Sequence, residues 1–313
     1  AQSAAYDLID EGVVAVIGAA CSGASMAANQ VLSAAGIPMI SYASTNAGLS
    51  DEAEYPLFYR VVPSDASQGP AGVAMMLDAG VTNESLAILH MTNDYGFGLA
   101  DSIKSAWEVN GELCSAGMQG YEEGSPEFSG LVSAIIDEDN CEAVYLSSYL
   151  EDAAGIIEEL HNQGWDGQIF AGDGASPWDG SDLYDYMTDY SMLEGVTVTS
   201  PRESVSYGDF EQRYDDNAEE VGGIKYFALT AYDSTMILGK AIAEYDEHHE
   251  LTDSIEQVGT NYEGASGLIN FLENGDITGS GYDICTYSGD PDDANEGYSC
   301  NRFWTVENGI QEY

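Results

Sequence analysis

Short apolar runs alternate with amphipathic stretches along most of this chain, and small-residue turns separate them. Residues 13–18 (VVAVIG) read as a buried strand, 25–35 (SMAANQVLSAA) as a helix punctuated by Gly36, and 37–41 (IPMIS) as the next strand. Strand, helix and strand in succession make one βαβ unit of a parallel sheet. Residues 58–62 (FYRVV) predict a further strand, followed by PSDASQGP and a helix to about Ala79. A second set follows: strand 86–90 (LAILH), a turn at NDYGFG, helix LADSIKSAWEVNG, the segment LCSAGMQGY, helix EFSGLVSAIIDED, strand AVYLSS, helix EDAAGIIEELHNQG and strand 168–172 (QIFAG). After GVTVTS (195–200) the pattern turns more helical, with DFEQRYDDNAEEVG and KYFALTAYDSTMILGKAIAEYDEHH as amphipathic helices. From about Ser266 it is mixed and closes in a turn-rich tail. No internal repeat recurs at a solenoid period. The opening QSAAYDLIDEG reads as the end of a helix, so the first lobe is expected to lack an N-terminal strand and helix.

A length of 313 residues exceeds one small core and suggests two lobes. No apolar run is long enough to cross a membrane, and the first residues have neither the basic end nor the apolar core of a signal peptide. Charge changes the picture more. Seven Lys and Arg against 55 Asp and Glu leave a net of −48. Such a surface repels nucleic acid and anionic lipid, so neither is expected as a partner. The acids are spread along the chain, which fits a solvated coat suited to high salt.

Five cysteines leave fifteen two-bridge arrangements open. Local context favours two pairs. Cys285 and Cys300 flank the polar segment TYSGDPDDANEGYS, and Cys114 and Cys141 each stand near the start of an expected strand, where parallel neighbours would bring them together. Cys21 is then left over. Disulfides point to an oxidising, extracytoplasmic compartment.

The turn GAACSGAS (18–25) follows the first strand and opens a helix. It lacks the lysine of a phosphate loop. Gly96-Phe97-Gly98 begins a dinucleotide fingerprint, but Asp101 falls on the third small position, where a carboxylate repels pyrophosphate. Cys21 sits where a nucleophile elbow would place one, which makes a Cys21-dependent hydrolase or amidotransferase the alternative of another class. Of the four histidines, His90 ends a strand, His161 lies on a helix, and His248 and His249 sit in an acidic helix end. The acidic loop with Asp290, Asp292, Asp293, Asn295 and Glu296 fails calcium-loop spacing at Ala294. No cofactor or metal is expected. An anion grip explains more residues: Ser22 and Ser25 stand at a helix N-terminus, and SYASTN (41–46) offers Ser44 and Thr45 at the end of the neighbouring strand. Ligands of parallel sheets bind at such carboxyl ends. In the second lobe Tyr95, Tyr149 and Asp173 follow strands in the same way, offering ring faces, a hydroxyl and an acid for an ammonium group. Neutral donors facing an acid with aromatic rings suit a zwitterion.

VAVIGAACSGAS, GIPMISYASTNAGLS, FYRVVPSDASQGPA, LAILHMTNDYGFGLA, SPEFSGLVSAI, AVYLSSYLEDAAGII, IFAGDG and ALTAYDSTMILGKAI, in this order and spacing, resemble the type I periplasmic solute-binding proteins, specifically the branched-chain amino-acid (Leu/Ile/Val) group that feeds ABC transporters. The resemblance implies an α/β fold of two doubly wound parallel-sheet lobes with three hinge crossings, near 61–66, 197–202 and 270–280. Lobe 1 would hold 1–62 and 203–272, and lobe 2 would hold 63–200 and 273–313 with hinge and C-terminal tail. It also implies that Ser22, Ala43, Ser44 and Thr45 hold a ligand carboxylate, that Asp173 holds the amino group, and that Tyr95 and Tyr149 line the second wall. The resemblance further implies that Cys21 matches a cysteine that pairs, in relatives, with one in an N-terminal segment expected to be missing here. The expected function is a non-enzymatic, periplasmic or extracellular receptor, lipid-anchored at the surface in one version, that hands a small aliphatic amino acid to an ABC transporter permease without itself inserting in a membrane. The same fold binding urea, a short amide or another carboxylate, or serving as a sensory receptor, is the alternative.

Overall fold

The computed structural model describes residues 1–138, 140–177, 181–202, 204–217, 225–245, 250–292 and 297–313. The chain divides into two compact units, one of residues 1–64 with 203–280 and one of 65–202 with 281–313.

The first unit opens with α1 (Gln2–Asp10), β1 (Val16–Ile17), α2 (Ser22–Leu32), β2 (Met39–Ser41) and β3 (Phe58–Arg60). The strands pair in parallel in the order β1-β2-β3. Alternation along them is strict. Met39 and Phe58 pack on one side with Ala5, Val31, Leu32 and Leu49, while Ile40 and Tyr59 pack on the other with residues from later in the chain. Burial of both faces is what a parallel sheet requires. The first strand is shorter than its apolar run suggests, covering two residues of the expected 13–18. α2 starts earlier than expected, at Ser22, with Cys21 as its N-cap in extended conformation. Its buried stripe of Ser22, Ser25, Asn29 and Leu32 is largely polar, so its packing rests on hydrogen bonds as much as on apolar contact.

The second unit runs through α3 (Asp65–Asp78), β4 (Leu86–Met91), α4 (Asp94–Trp107), β5 (Met118–Tyr121), α5 (Ser129–Ile136), β6 (Ala143–Ser147), α6 (Leu150–Asn162), β7 (Gln168–Ala171) and β8 (Thr197–Pro201). β4 and β6 are buried along their whole length. NDYGFG, expected as a turn, instead opens α4: the Asn93 side chain accepts from the Gly96 amide at 2.7 Å, and this cap starts the helix at Asp94.

The chain then returns to the first unit with α7 (Phe210–Asp215), α8 (Lys225–Glu244), α9 (Leu251–Val258) and the hairpin β9 (Tyr262–Gly264) and β10 (Gly267–Ile269). α8 and α9 bring Ile237, Leu238, Ala241 and Ile255 onto the Ile40–Tyr59 face of the first sheet. It ends in the second unit with β11 (Tyr282–Tyr287), β12 (Tyr298–Thr305) and β13 (Gly309–Glu312). These three are antiparallel and extend the second sheet to eight strands, in the order β13-β12-β11-β8-β7-β6-β4-β5. The expected turn-rich tail is therefore largely strand.

Both expected disulfides are present, Cys114–Cys141 and Cys285–Cys300. Their geometry differs from expectation. β5 and β6 are not neighbours, because β4 lies between them. The Cys114 amide donates to Leu86 O and the Glu142 amide to Ser85 O, so the bridge closes over the start of β4. Cys285 and Cys300 face each other on the paired strands β11 and β12. Cys21 is a free, exposed thiol.

Candidate functional site

In the first unit the carboxyl ends of β1 and β2 carry the turns 18–21 and 42–46, and serine hydroxyls stitch them together. The Ala19 amide donates to Ser25 Oγ at 3.0 Å, Ser25 Oγ meets Ser44 Oγ at 2.8 Å, and Ser44 Oγ donates to Ala20 O at 3.0 Å. Ser41 Oγ donates to Ala19 O at 2.6 Å and accepts from the Ser44 amide at 2.9 Å. A hydroxyl carries one proton. Read as one chain of donors, this network commits the Ser44 hydroxyl inside the protein. Ser22 differs: its hydroxyl accepts from the Asn46 amide at 3.2 Å, which leaves its own proton for another acceptor. Thr45 differs more, since its hydroxyl is buried with no hydrogen-bond partner among the described residues. No side chain caps the N-terminus of α2.

Two further groups hold this turn from outside it. Thr230 of α8 donates to Tyr42 O at 2.8 Å. Arg60, the last residue of β3, is completely buried and donates to Ser44 O at 3.2 Å and Asn46 O at 3.0 Å. Its charge is met by Asp276 at 2.6 Å. The expected set Ser22, Ala43, Ser44 and Thr45 is thus gathered at one sheet end. Arg60, Ser41 and Asp276 escaped the sequence reading. One signal stood in it: a lone arginine inside the apolar strand FYRVV has to be paired when buried.

In the second unit, Tyr95, Tyr149 and Asp173 are gathered at the carboxyl ends of β4, β6 and β7. Tyr95 lies in the first turn of α4, Tyr149 is the N-cap of α6, and Asp173 opens a short 3-10 turn after β7. The Tyr95 and Tyr149 rings stack with centroids 5.1 Å apart and planes nearly parallel. Asp173 is about 95% buried, and burial raises its carboxyl above the usual aspartate range. Hydrogen bonds from the Tyr95 hydroxyl, the Gln68 amide and the backbone at 173 and 174 oppose that rise. The Tyr95 hydroxyl is itself pushed well up, by burial and then by the charges of Asp173 and Asp65. Gln68 is held from behind by Thr199. The Gly174 position needs glycine: an added Cβ would stand 2.5 Å from Ser148 O and 2.7 Å from the Tyr95 hydroxyl.

The nucleophile alternative finds Cys21 in the first unit, where no described residue is a histidine. His90 belongs to the second unit and its Nδ1 bonds Met91 O, while His161 lies in the last turn of α6. His248 and His249 lie outside the described residues. Of the acidic loop, Asp290 accepts from the Asp292 amide, and Asp293, Asn295 and Glu296 lie outside the described residues. Among the described residues no group of His, Cys, Asp or Glu is disposed to hold a metal ion, and no helix is long and apolar enough to cross a membrane.

Comparison with known proteins agrees with the fold. A family model described as "Receptor family ligand binding region" matches residues 1–290. A leucine-, isoleucine-, valine-, threonine- and alanine-binding protein of Pseudomonas aeruginosa is 24% identical over 296 residues, covering 92% of this chain and 74% of that protein. The crystal structure of the leucine binding protein LivK of Thermotoga maritima superposes with a TM-score of 0.80 at 23% identity, covering 98% of this chain and 84% of that one. The substrate binding protein LivJ of a branched-chain amino acid transporter from Streptococcus pneumoniae, solved in complex with isoleucine, superposes with a TM-score of 0.72 at 20% identity, covering 92% of this chain and 80% of that one. These similar proteins bind branched-chain amino acids, and the two structures share the α/β fold expected from the sequence.

Proposed function

Because this chain belongs to the receptor ligand-binding-region family, we propose that it is a solute-binding protein that captures a small aliphatic amino acid and delivers it to an ABC transporter permease. Each unit offers groups suited to one end of such a ligand. In the first, the Ser22 and Thr45 hydroxyls and the Thr45 amide receive the carboxylate, while Ala43 and Ser44, whose amides donate to Ser41 Oγ, act by holding the turn. In the second, Asp173 receives the ammonium group, with Tyr95 and Tyr149 as the adjoining wall.

The observation that carries this reading is Thr45. A buried hydroxyl with no partner costs about 1–3 kcal/mol, and an arriving carboxylate supplies the missing acceptor. Branched side chains are favoured by what the similar proteins bind. Two disulfides suit an extracytoplasmic location.

Thermal shift followed by calorimetric titration tests it. L-Leucine, L-isoleucine and L-valine are expected to stabilise the protein and saturate at one site, and Thr45→Val to weaken that binding. Stabilisation by urea, acetamide or an aromatic acid, with none by any aliphatic amino acid, would overturn it.

A further inference from the structure

The carboxylate cradle contains no cation, yet a buried one stands directly behind it. Arg60 spends its donors in three directions. Nε meets Asp276 Oδ1 at 2.6 Å, one terminal nitrogen bonds Ser44 O and Asn46 O, and the other donates to Ser50 Oγ at 2.6 Å. Ser50 Oγ in turn donates to Asp276 Oδ2 at 2.8 Å, closing a ring of arginine, serine and aspartate. Asp276 is held by Asn274 Nδ2 at 3.0 Å. The 272–276 loop is pressed against β3: the Arg60 amide donates to Gly275 O, and a Cβ on Gly275, whose φ is +75°, would stand 2.1 Å from Phe58 O.

The direction of these bonds matters. In a trans peptide the carbonyl and the following N–H point in opposite senses. A guanidinium that draws Ser44 O toward itself turns the Thr45 N–H to the other side. It also polarises that peptide, since hydrogen-bonded groups in a low-dielectric interior strengthen one another. Of the Arg60–Asp276 pair, it is the guanidinium that bonds the carbonyls of the turn.

We propose that Arg60, locked by Asp276 and Ser50, is a positioning residue for the ligand carboxylate: it aims the Thr45 amide and strengthens it as a donor without touching the ligand. This rests on the amino-acid reading above. It explains how a cradle of neutral donors grips an anion in a chain of net charge −48. Lysine is not equivalent at position 60, because a point charge lacks the fork that reaches two carbonyls, a hydroxyl and a carboxylate together.

The test uses the whole protein and L-leucine as probe, titrated well below the melting temperature so that affinity reports the native state. Ser50→Ala should weaken leucine by about threefold and Arg60→Lys by about tenfold or more. Ser50→Ala should leave the melting temperature of the free protein within a few degrees. The Thr45 amide resonance of the free protein should move upfield in both variants, as polarisation is lost. A purely structural ring predicts the reverse: lower melting temperatures with leucine affinity and the Thr45 resonance unchanged, and that result overturns the proposal. If Arg60→Lys fails to fold, Ser50→Ala decides alone. Absence of leucine binding by the unsubstituted protein would remove the amino-acid reading itself. It is distinguished from failure of the Arg60 role because it shows before any substitution is made.

Discussion

Tyr95 and Asp173 share a 2.8 Å hydrogen bond, and the same tyrosine oxygen accepts the Gly174 amide at 2.9 Å. The phenol therefore fixes both the charge and the backbone of the acid. Tyr95→Phe keeps the ring stack with Tyr149 and removes both bonds. The bond from Tyr95 favours ionised Asp173, so the variant carboxyl rises further. Leucine binding should weaken by about 1.5–3 kcal/mol near neutral pH. Its loss on acidification should also begin at higher pH than in the parent protein. Calorimetric titration across a pH series checks both.

Asp173 itself is expected to cost stability in the free protein. Burial raises its folded-state carboxyl above the unfolded value. The penalty is therefore absent below the unfolded aspartate range, grows as pH rises through the folded value, and is full at neutral pH. Asp173→Asn should be more stable than the parent at neutral pH without ligand, with the gap closing toward about pH 4. It should also lose most leucine affinity. Urea denaturation at the two pH values gives the sign.

Gly174→Ala tests close approach. The added methyl meets the Ser148 carbonyl, which is backbone, and the Tyr95 hydroxyl. A loss of about 1–3 kcal/mol is expected from overpacking. Leucine affinity should fall with it, because relief of the clash moves Asp173. A variant with unchanged melting temperature and affinity would contradict the packing described.

The Cys114–Cys141 bridge closes a separation of 27 residues over the start of β4. On the chain-entropy account its removal by paired alanines costs about 3–4 kcal/mol. Denaturant unfolding of the double variant measures it. Thiol titration of the unfolded, unreduced parent should find one reactive group, Cys21.

A net charge of −48 opposes compaction through self-repulsion. Salt screens exposed charges over about 10 Å at 0.1 M and less at higher concentration. The melting temperature should rise from low to molar salt, and sodium chloride and potassium chloride should act alike. A flat response would remove the reading of the acidic coat as an adaptation to salt.

Local pattern carried a large part of the fold. The apolar runs at 39–41, 58–60, 86–91 and 143–147 are strands buried on both faces, and their continuous hydrophobicity is what such burial demands. The turns that end them were equally legible, because each begins where an apolar run gives way to small and polar residues. The start of α4 was misread because a cap depends on where one asparagine side chain turns. The strands of the tail were missed because their polar, one-sided pattern resembles loop until a neighbour supplies the ladder.

Which residue types stand at the sheet ends can be read along the chain: hydroxyls in the first unit, an acid and two tyrosines in the second. Periodicity is local, and a strand's end can be counted. What each group has left to give is set by its neighbours in the folded chain. Ser44 and Thr45 are neighbours with similar side chains, yet one hydroxyl is consumed by Ser25 and Ala20 and the other has no partner among the described residues. Arg60 finds its counter-charge 216 residues further along the chain. A hydrogen-bond inventory is a property of neighbours in space, and long-range packing brings those neighbours together.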